Sequence, residues 1–171
     1  MPNLYILAGP NGAGKTTAAY TLLPEVLGIL EFVNADEIAR GLSPFNAEAV
    51  SFEAGRIMLQ RIDALIGKGV DLAFETTLST RSYMQTIRRA KQAGYTTNLF
   101  YFWLPSADVA KERVSMRVSQ GGHGIPPDVI ERRYKWSVLN LTKLYTPICD
   151  YFVIFNNAEV IPEMVASGGM E

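Results

Sequence analysis

Gly9-Pro10-Asn11-Gly12-Ala13-Gly14-Lys15-Thr16 stands between the apolar run Leu4-Tyr5-Ile6-Leu7-Ala8 and the helix-compatible run Thr17-Ala18-Ala19-Tyr20-Thr21-Leu22-Leu23. It fits the pattern G-x-x-x-x-G-K-[ST], in the order strand, glycine loop, helix that the pattern needs in order to work. Glycines let successive backbone N–H groups turn inward without Cβ clashes, so the loop becomes an anion-binding nest at the positive end of a helix dipole. The expectation is that residues Gly9 through Thr17 hold the polyphosphate of ATP. Lys15 would reach the β- and γ-phosphates, and the Thr16 hydroxyl would ligate Mg²⁺.

The loop opens a chain of 171 residues, a length that suits one P-loop α/β domain over residues 1–171. Strand-length apolar runs recur at Leu4–Ala8, Leu30–Val33, Val70–Phe74, Asn98–Leu104 and Tyr151–Phe155. Helix-period segments at Gly14–Leu23, Ala47–Gly67, Thr80–Ala93, Ala107–Ser119 and Pro127–Leu144 separate most of them. Five buried strands alternating with helices predict a mostly parallel five-stranded sheet covered on both faces. Ser79 and Ser106 are candidate N-caps, and Gly69 and Gly94 stand just past helix ends. Gln120-Gly121-Gly122-His123-Gly124-Ile125-Pro126-Pro127 is too rich in Gly and Pro to pack as an element, and predicts a mobile lid spanning about residues 117–133.

A formal charge of −1 gives no overall attraction for nucleic acid or an anionic membrane, and points to small-molecule partners. The single cysteine, Cys149, permits no intramolecular disulfide, and the N-terminus enters a strand directly, which together point to the cytoplasm. The apolar runs Leu99–Leu104 and Tyr151–Phe155 fall far short of the roughly 20 residues that span a bilayer. The aromatics of Tyr101-Phe102-Trp103 read as core rather than as a base-stacking surface, since no basic interleaving accompanies them.

Ligands of an open α/β sheet bind beyond the carboxyl ends of its strands, where two acidic clusters fall. Asn34-Ala35-Asp36-Glu37 follows the second strand. Asp36 there can take the proton of an attacking hydroxyl, or serve only as an N-cap. Glu75-Thr76-Thr77 ends the third strand, where Glu75 can contact an acceptor hydroxyl or a magnesium-bound water. Arg113 and Arg117 lie four apart on one helix, and Arg132 and Arg133 open the next. Cations swinging in from a lid would stabilise the charge that spreads over a transferring phosphoryl group. The only histidine, His123, lacks partners at zinc spacing and is assigned to phosphate or substrate contact. Asn156-Asn157 after the last strand can read an adenine edge or form a turn.

Taken together, Gly9–Thr17, Asn34–Ala39, Phe74–Ser79, Gly94-Tyr95, Leu104-Pro105 and Arg113–Pro126 resemble the zeta toxin family of P-loop kinases, in its short branch. The resemblance covers about residues 4–157. It implies ATP-dependent phosphorylation of a small-molecule hydroxyl, which in the toxins is the 3′-hydroxyl of UDP-N-acetylglucosamine. Carried over, Asp36 matches the general base, Lys15 and Thr16 the phosphate and Mg²⁺ groups, Glu75 and Thr77 positions that contact the sugar nucleotide, and Arg117 a lid arginine. Near the second lid arginine of the longer toxins this chain offers His123, with Arg132 and Arg133 next. Val118-Ser119-Gln120-Gly121-Gly122 faintly echoes the ABC signature. However, no strand ending in Asp-Glu follows it, so that reading fails.

Three functions are therefore weighed. The first is a zeta-toxin-like kinase with Lys15, Asp36, Arg117 and Arg133 in the chemistry, Glu75, Thr77 and His123 at the acceptor, and an antitoxin protein as a candidate partner. The second is a metabolic or detoxifying kinase resembling chloramphenicol phosphotransferase. The third is a nucleotide-binding regulatory module without transfer.

Overall fold

The computed structural model describes residues 1–122 and 124–169. A six-stranded sheet forms its centre, built from β1 (Asn3–Ala8), β2 (Phe32–Val33), β3 (Leu72–Thr76), β4 (Thr96–Trp103), β5 (Tyr151–Asn156) and β6 (Glu163–Gly169) in the order β2-β3-β1-β4-β5-β6. The first five strands run parallel, with Leu4 opposite Leu72 and Thr97, and β6 is antiparallel to β5. The helices are α1 (Lys15–Thr21), α2 (Ala35–Leu42), α3 (Ser51–Lys68), α4 (Tyr83–Gln92), α5 (Ala107–Ser119) and α6 (Pro127–Asn140).

Strand periodicity explains how apolar runs without polar alternation are accommodated. Leu4, Ile6 and Ala8 of β1 join Leu72, Phe74, Leu99 and Tyr101 in a core on one face, packed against Met58, Ile62 and Leu65 of α3 and Ile87 of α4. Leu7 points the other way, into a second core with Ala73, Phe102, Ala19 of α1, Ala110 and Val114 of α5 and Ile130 of α6. Both faces of the central strands are thus covered, as a parallel sheet requires. Tyr101 and Phe102 are core residues, as expected.

Several boundaries differ from the sequence reading. The sheet has six strands rather than five. Glu163–Gly169 has no apolar run and ends in two glycines, and every residue of the strand is exposed, so its pairing to β5 left no burial pattern to read. α2 was anticipated only through the capping role left open for Asp36, and it starts earlier, at Ala35. Helix α4 begins at Tyr83 rather than Thr80, and Ser79 caps nothing; its hydroxyl bonds that of Thr77 at 2.8 Å instead. Ahead of the helix, the Thr80 carbonyl accepts from Tyr145 OH at 2.7 Å and Thr80 Oγ1 accepts from Ser82 N at 3.5 Å, while Leu78 adopts φ 56°, a left-handed conformation unusual for a side chain of this kind. Around Pro24, α1 gives way to the wider π turn Leu22–Val26, because proline supplies no N–H to the α-helical ladder. Ser106 does cap α5, accepting from Val109 N at 3.3 Å. Gly69 ends α3 in the left-handed conformation. No described helix is long and apolar enough to cross a membrane.

Candidate active site

β1 ends at Ala8, and the glycine loop leaves the sheet at its carboxyl edge, anchored by Gly9 N donating to the Thr76 carbonyl at 3.3 Å. Gly9 has φ 148°, and a Cβ there would collide with the Phe102 carbonyl of β4, so only glycine fits between the neighbouring strands. Gly14, at φ 81°, is the N-cap of α1 and offers no capping side chain, which leaves the first amides of the helix directed at the loop. Asn11 Oδ1, within the loop, is buried with no hydrogen-bond partner among the described residues.

Lys15 is buried, at 6% exposure, and its Nζ donates to the Pro10 carbonyl at 3.0 Å. The same Nζ lies 3.9 Å from Glu75 Oε1. Glu75 Oε2 accepts from Thr16 Oγ1 at 2.8 Å and from Asn34 Nδ2 at 2.9 Å. Burial dominates this cluster: it lowers the Lys15 pKa and raises that of Glu75, each opposed by the charge of the other. The charges of Arg117 and Arg133 add to the lowering at Lys15. One hydroxyl and one carboxylate side by side form a donor set that Mg²⁺ accepts when phosphate oxygens and waters complete its shell. The loop, Lys15, Thr16 and Glu75 therefore fit a magnesium–nucleotide complex. Glu75 stands beside Thr16 and Lys15.

Asp36 lies in the first turn of α2. The capping role left open for it belongs instead to Asn34, whose Oδ1 accepts from Asp36 N at 2.8 Å and Glu37 N at 3.4 Å. The Asp36 carboxylate is exposed and borders two cavities. A phosphate-side cleft of about 260 Å³ is lined by the glycine loop, Lys15, Thr16, Asn34 and Glu75. A second cavity of about 320 Å³ is lined by residues including Ala39, Ser51, Ile125, Val129, Arg132 and Arg133. Asp36, Asn11, Arg40 and Arg117 belong to the walls of both.

The structure thus brings Lys15, Thr16, Asp36, Glu75, Arg117 and Arg133 to one region. Neither Glu75 nor Thr77 borders the second cavity. His123 lies outside the described residues. Asn157 does not stand free to read a base, because its Nδ2 donates to the Ala13 carbonyl at 2.5 Å. Arg113 likewise braces the loop, donating to the carbonyls of Gly12 at 3.5 Å and Ala158 at 2.6 Å. Sequence reading missed Arg40, Ser51 and the double use of Asn34. Asn34 had a signal, since an Asn followed three residues later by Glu37 is a helix-start signature.

A family model described as Zeta toxin matches residues 1–161. An uncharacterized protein of Haemophilus influenzae is 29% identical over 126 residues, covering 74% of this chain and 88% of that protein. The fold is close to a structure from the PezAT chromosomal toxin–antitoxin system of Streptococcus pneumoniae, with a TM-score of 0.76, 19% identity and coverage of 98% of this chain and 71% of the other. It is also close to the AvrRxo1-ORF1:-ORF2 complex with ATP, with a TM-score of 0.78 and 22% identity, covering 98% of this chain and 58% of that one. The present chain thus spans less than two thirds of the AvrRxo1 chain. At these identities the structural likeness speaks to the fold, which is the P-loop kinase fold.

Proposed function

We propose that this chain, which belongs to the zeta toxin family, transfers the γ-phosphoryl group of ATP to a hydroxyl of a small molecule seated in the second cavity. The observation that carries the reading is the position of Asp36 and Arg117 on the wall common to both cavities. A carboxylate there faces a phosphoryl donor on one side and an acceptor on the other. A UDP-N-acetyl sugar is the first acceptor to test, on the strength of the family. An antitoxin-type protein partner belongs to the same reading, supported by the toxin–antitoxin system among the structural neighbours.

The loop amides and Lys15 hold the polyphosphate, and Thr16 with Glu75 holds Mg²⁺, which when bound offsets charge on the β- and γ-oxygens. Asp36 accepts the proton of the acceptor hydroxyl as its oxygen bonds to phosphorus. The bond from phosphorus to the bridging oxygen breaks, and that oxygen leaves with ADP. Arg117 and Arg133 neutralise charge on the transferring group, and Arg40 or Arg132 can hold an anionic part of the acceptor. Residues 117–119 belong to α5 and Ile130 of α6 is packed in the second core, so the lid expected over residues 117–133 narrows to the connector between the two helices.

The test is Asp36→Asn, assayed with Mg²⁺, ATP and UDP-N-acetylglucosamine or another accepted alcohol. Since Asn34 supplies the cap, the fold and nucleotide affinity should stay within about twofold while transfer falls roughly 10²- to 10⁴-fold, the range for a lost general base. Transfer at the wild-type rate would remove Asp36 from the mechanism.

A further inference from the structure

One buried carboxamide links the two halves of the site. Asn34 follows the two-residue strand β2, whose ladder to β3 consists of Phe32 opposite Ala73 and Val33 opposite Phe74. Continued by one residue, that register sets Asn34 beside Glu75. At this rung a side-chain bond takes the place of further ladder, with Asn34 Nδ2 donating to Glu75 Oε2 at 2.9 Å. The other end of the same amide is committed to α2, where Oδ1 accepts from Asp36 N and Glu37 N at 2.8 and 3.4 Å. Asn34 is 6% exposed, so water does not readily replace either partner.

We infer that Asn34 is a positioning residue that couples the acid beside Lys15 and Thr16 to the helix turn presenting Asp36. The amide plane is rigid, so the two ends cannot be set independently. When Glu75 Oε2 fixes the NH₂ group, the carbonyl end is aimed at the α2 amides, and the first turn of α2 is fixed with it. Chemistry restricts the residue at this position. Serine caps a helix well but has no donor that reaches Glu75. Aspartate caps equally well but sets a second carboxylate against Glu75. Asparagine alone among the favoured caps joins an acceptor to a donor at the required distance. The inference concerns the placement of Asp36; its catalytic consequence rests on the function proposed above.

The experiment reads backbone hydrogen exchange at Asp36 and Glu37 in the full chain, without nucleotide or acceptor. It can therefore fail or succeed whatever the acceptor is. Asn34→Ala removes the acceptor of both amides, and exchange there should speed roughly five- to tenfold, as expected for loss of one ordinary hydrogen bond. The decisive variants are at Glu75, which bonds Thr16 and Asn34 while both amides donate to Asn34 Oδ1. Glu75→Ala and Glu75→Met remove the anchor of the Nδ2 end and should speed exchange at Asp36 and Glu37 by at least about threefold, a fraction of the full cap. Glu75→Gln, whose carbonyl still accepts from Asn34, should restore the wild-type rate. In an Asn34→Ser background, Glu75→Ala should change exchange no further. Unchanged rates in both Glu75→Ala and Glu75→Met would overturn the coupling, as would an equal effect of Glu75→Ala with and without Asn34.

Discussion

Replacing Asn140 by alanine should destabilise the fold out of proportion to the three atoms removed, because Asn140 holds a backbone segment in a conformation it would not choose. Asn140 ends α6 and is 4% exposed. Its Nδ2 donates at 2.8 Å to the carbonyl of Leu78, the residue at φ 56°. A left-handed conformation costs a residue with a Cβ roughly 1–2 kcal/mol. Three bonds hold the segment against that cost: Asn140 to Leu78 O, Leu78 N to Thr76 Oγ1 at 3.0 Å, and Tyr145 OH to Thr80 O at 2.7 Å. Asn140→Ala orphans a buried carbonyl, for about 1–3 kcal/mol. It also leaves a void near the size of a methyl group, for about 1 kcal/mol more. At the roughly 2–4 °C per kcal/mol expected of a chain this long, a loss of about 2–4 kcal/mol lowers Tm by about 4–16 °C. Thermal melting followed by circular dichroism measures it. Asn140→Asp, which has no donor for Leu78 and sets a carboxylate beside its carbonyl, should fall at least as far. A Tm for Asn140→Ala within about 1 °C of wild type, or an Asn140→Asp as stable as wild type, would refute the reasoning.

Gly9→Ala should weaken ADP or ATP binding more than about tenfold by calorimetry, since the new Cβ meets the Phe102 carbonyl and must push the loop off β4; an unchanged Kd would show that the loop yields freely. Burial pushes the Cys149 thiol up to about 12, so the native protein at pH 8 should resist iodoacetamide and react only once unfolded; rapid labelling of the native protein would contradict that. Burial raises the Asp150 carboxyl, but Lys91 at 2.8 Å and the Thr97 backbone and hydroxyl, each at 2.8 Å, outweigh it and hold it below its ordinary value of 3.8. A folded-state value below the unfolded one means stability present above the ordinary value and lost as pH falls through the lowered one. Wild type should therefore exceed Asp150→Asn by about 2 kcal/mol near pH 7, and the gap should close in urea melts below pH 3.8; a gap that persists at low pH would overturn the assignment.

The glycine loop, the parallel core and the place of Asp36 just past a strand were legible because each leaves a local trace. Glycines at fixed spacing, apolar runs of strand length and an acid just past a strand need no knowledge of distant residues. What was not legible depends on pairs far apart in sequence. Leu78 reads as an ordinary apolar residue, and the bonds that hold its segment come from Asn140 to Leu78 and from Tyr145 to Thr80, 62 and 65 positions away. Glu75 gave two equal readings because nothing nearby places Thr16 and Asn34 on the same carboxylate oxygen. Asn157 was left between a base contact and a turn, and its bond to the Ala13 carbonyl 144 positions earlier was not foreseen, for the same reason. The sixth strand carries no burial pattern at all, since its partner strand alone defines it.

The two cavities draw on different parts of the chain. The phosphate side takes much of its lining from Asn34 and Glu75 at strand ends and from the glycine loop, with Asp36, Glu37, Arg40, Arg113 and Arg117 added from helices. Apart from Asn11, the second cavity is lined wholly from helices and connectors, with Ala39, Ser51, Val129 and Arg132 among its walls, and no strand residue enters it. On the function proposed above, the acceptor could change through residues such as Ser51, Val129 and Arg132, which line the second cavity and not the phosphate-side cleft. A lineage built on this frame could, on that reading, diversify what it acts on while the glycine-loop side stays fixed.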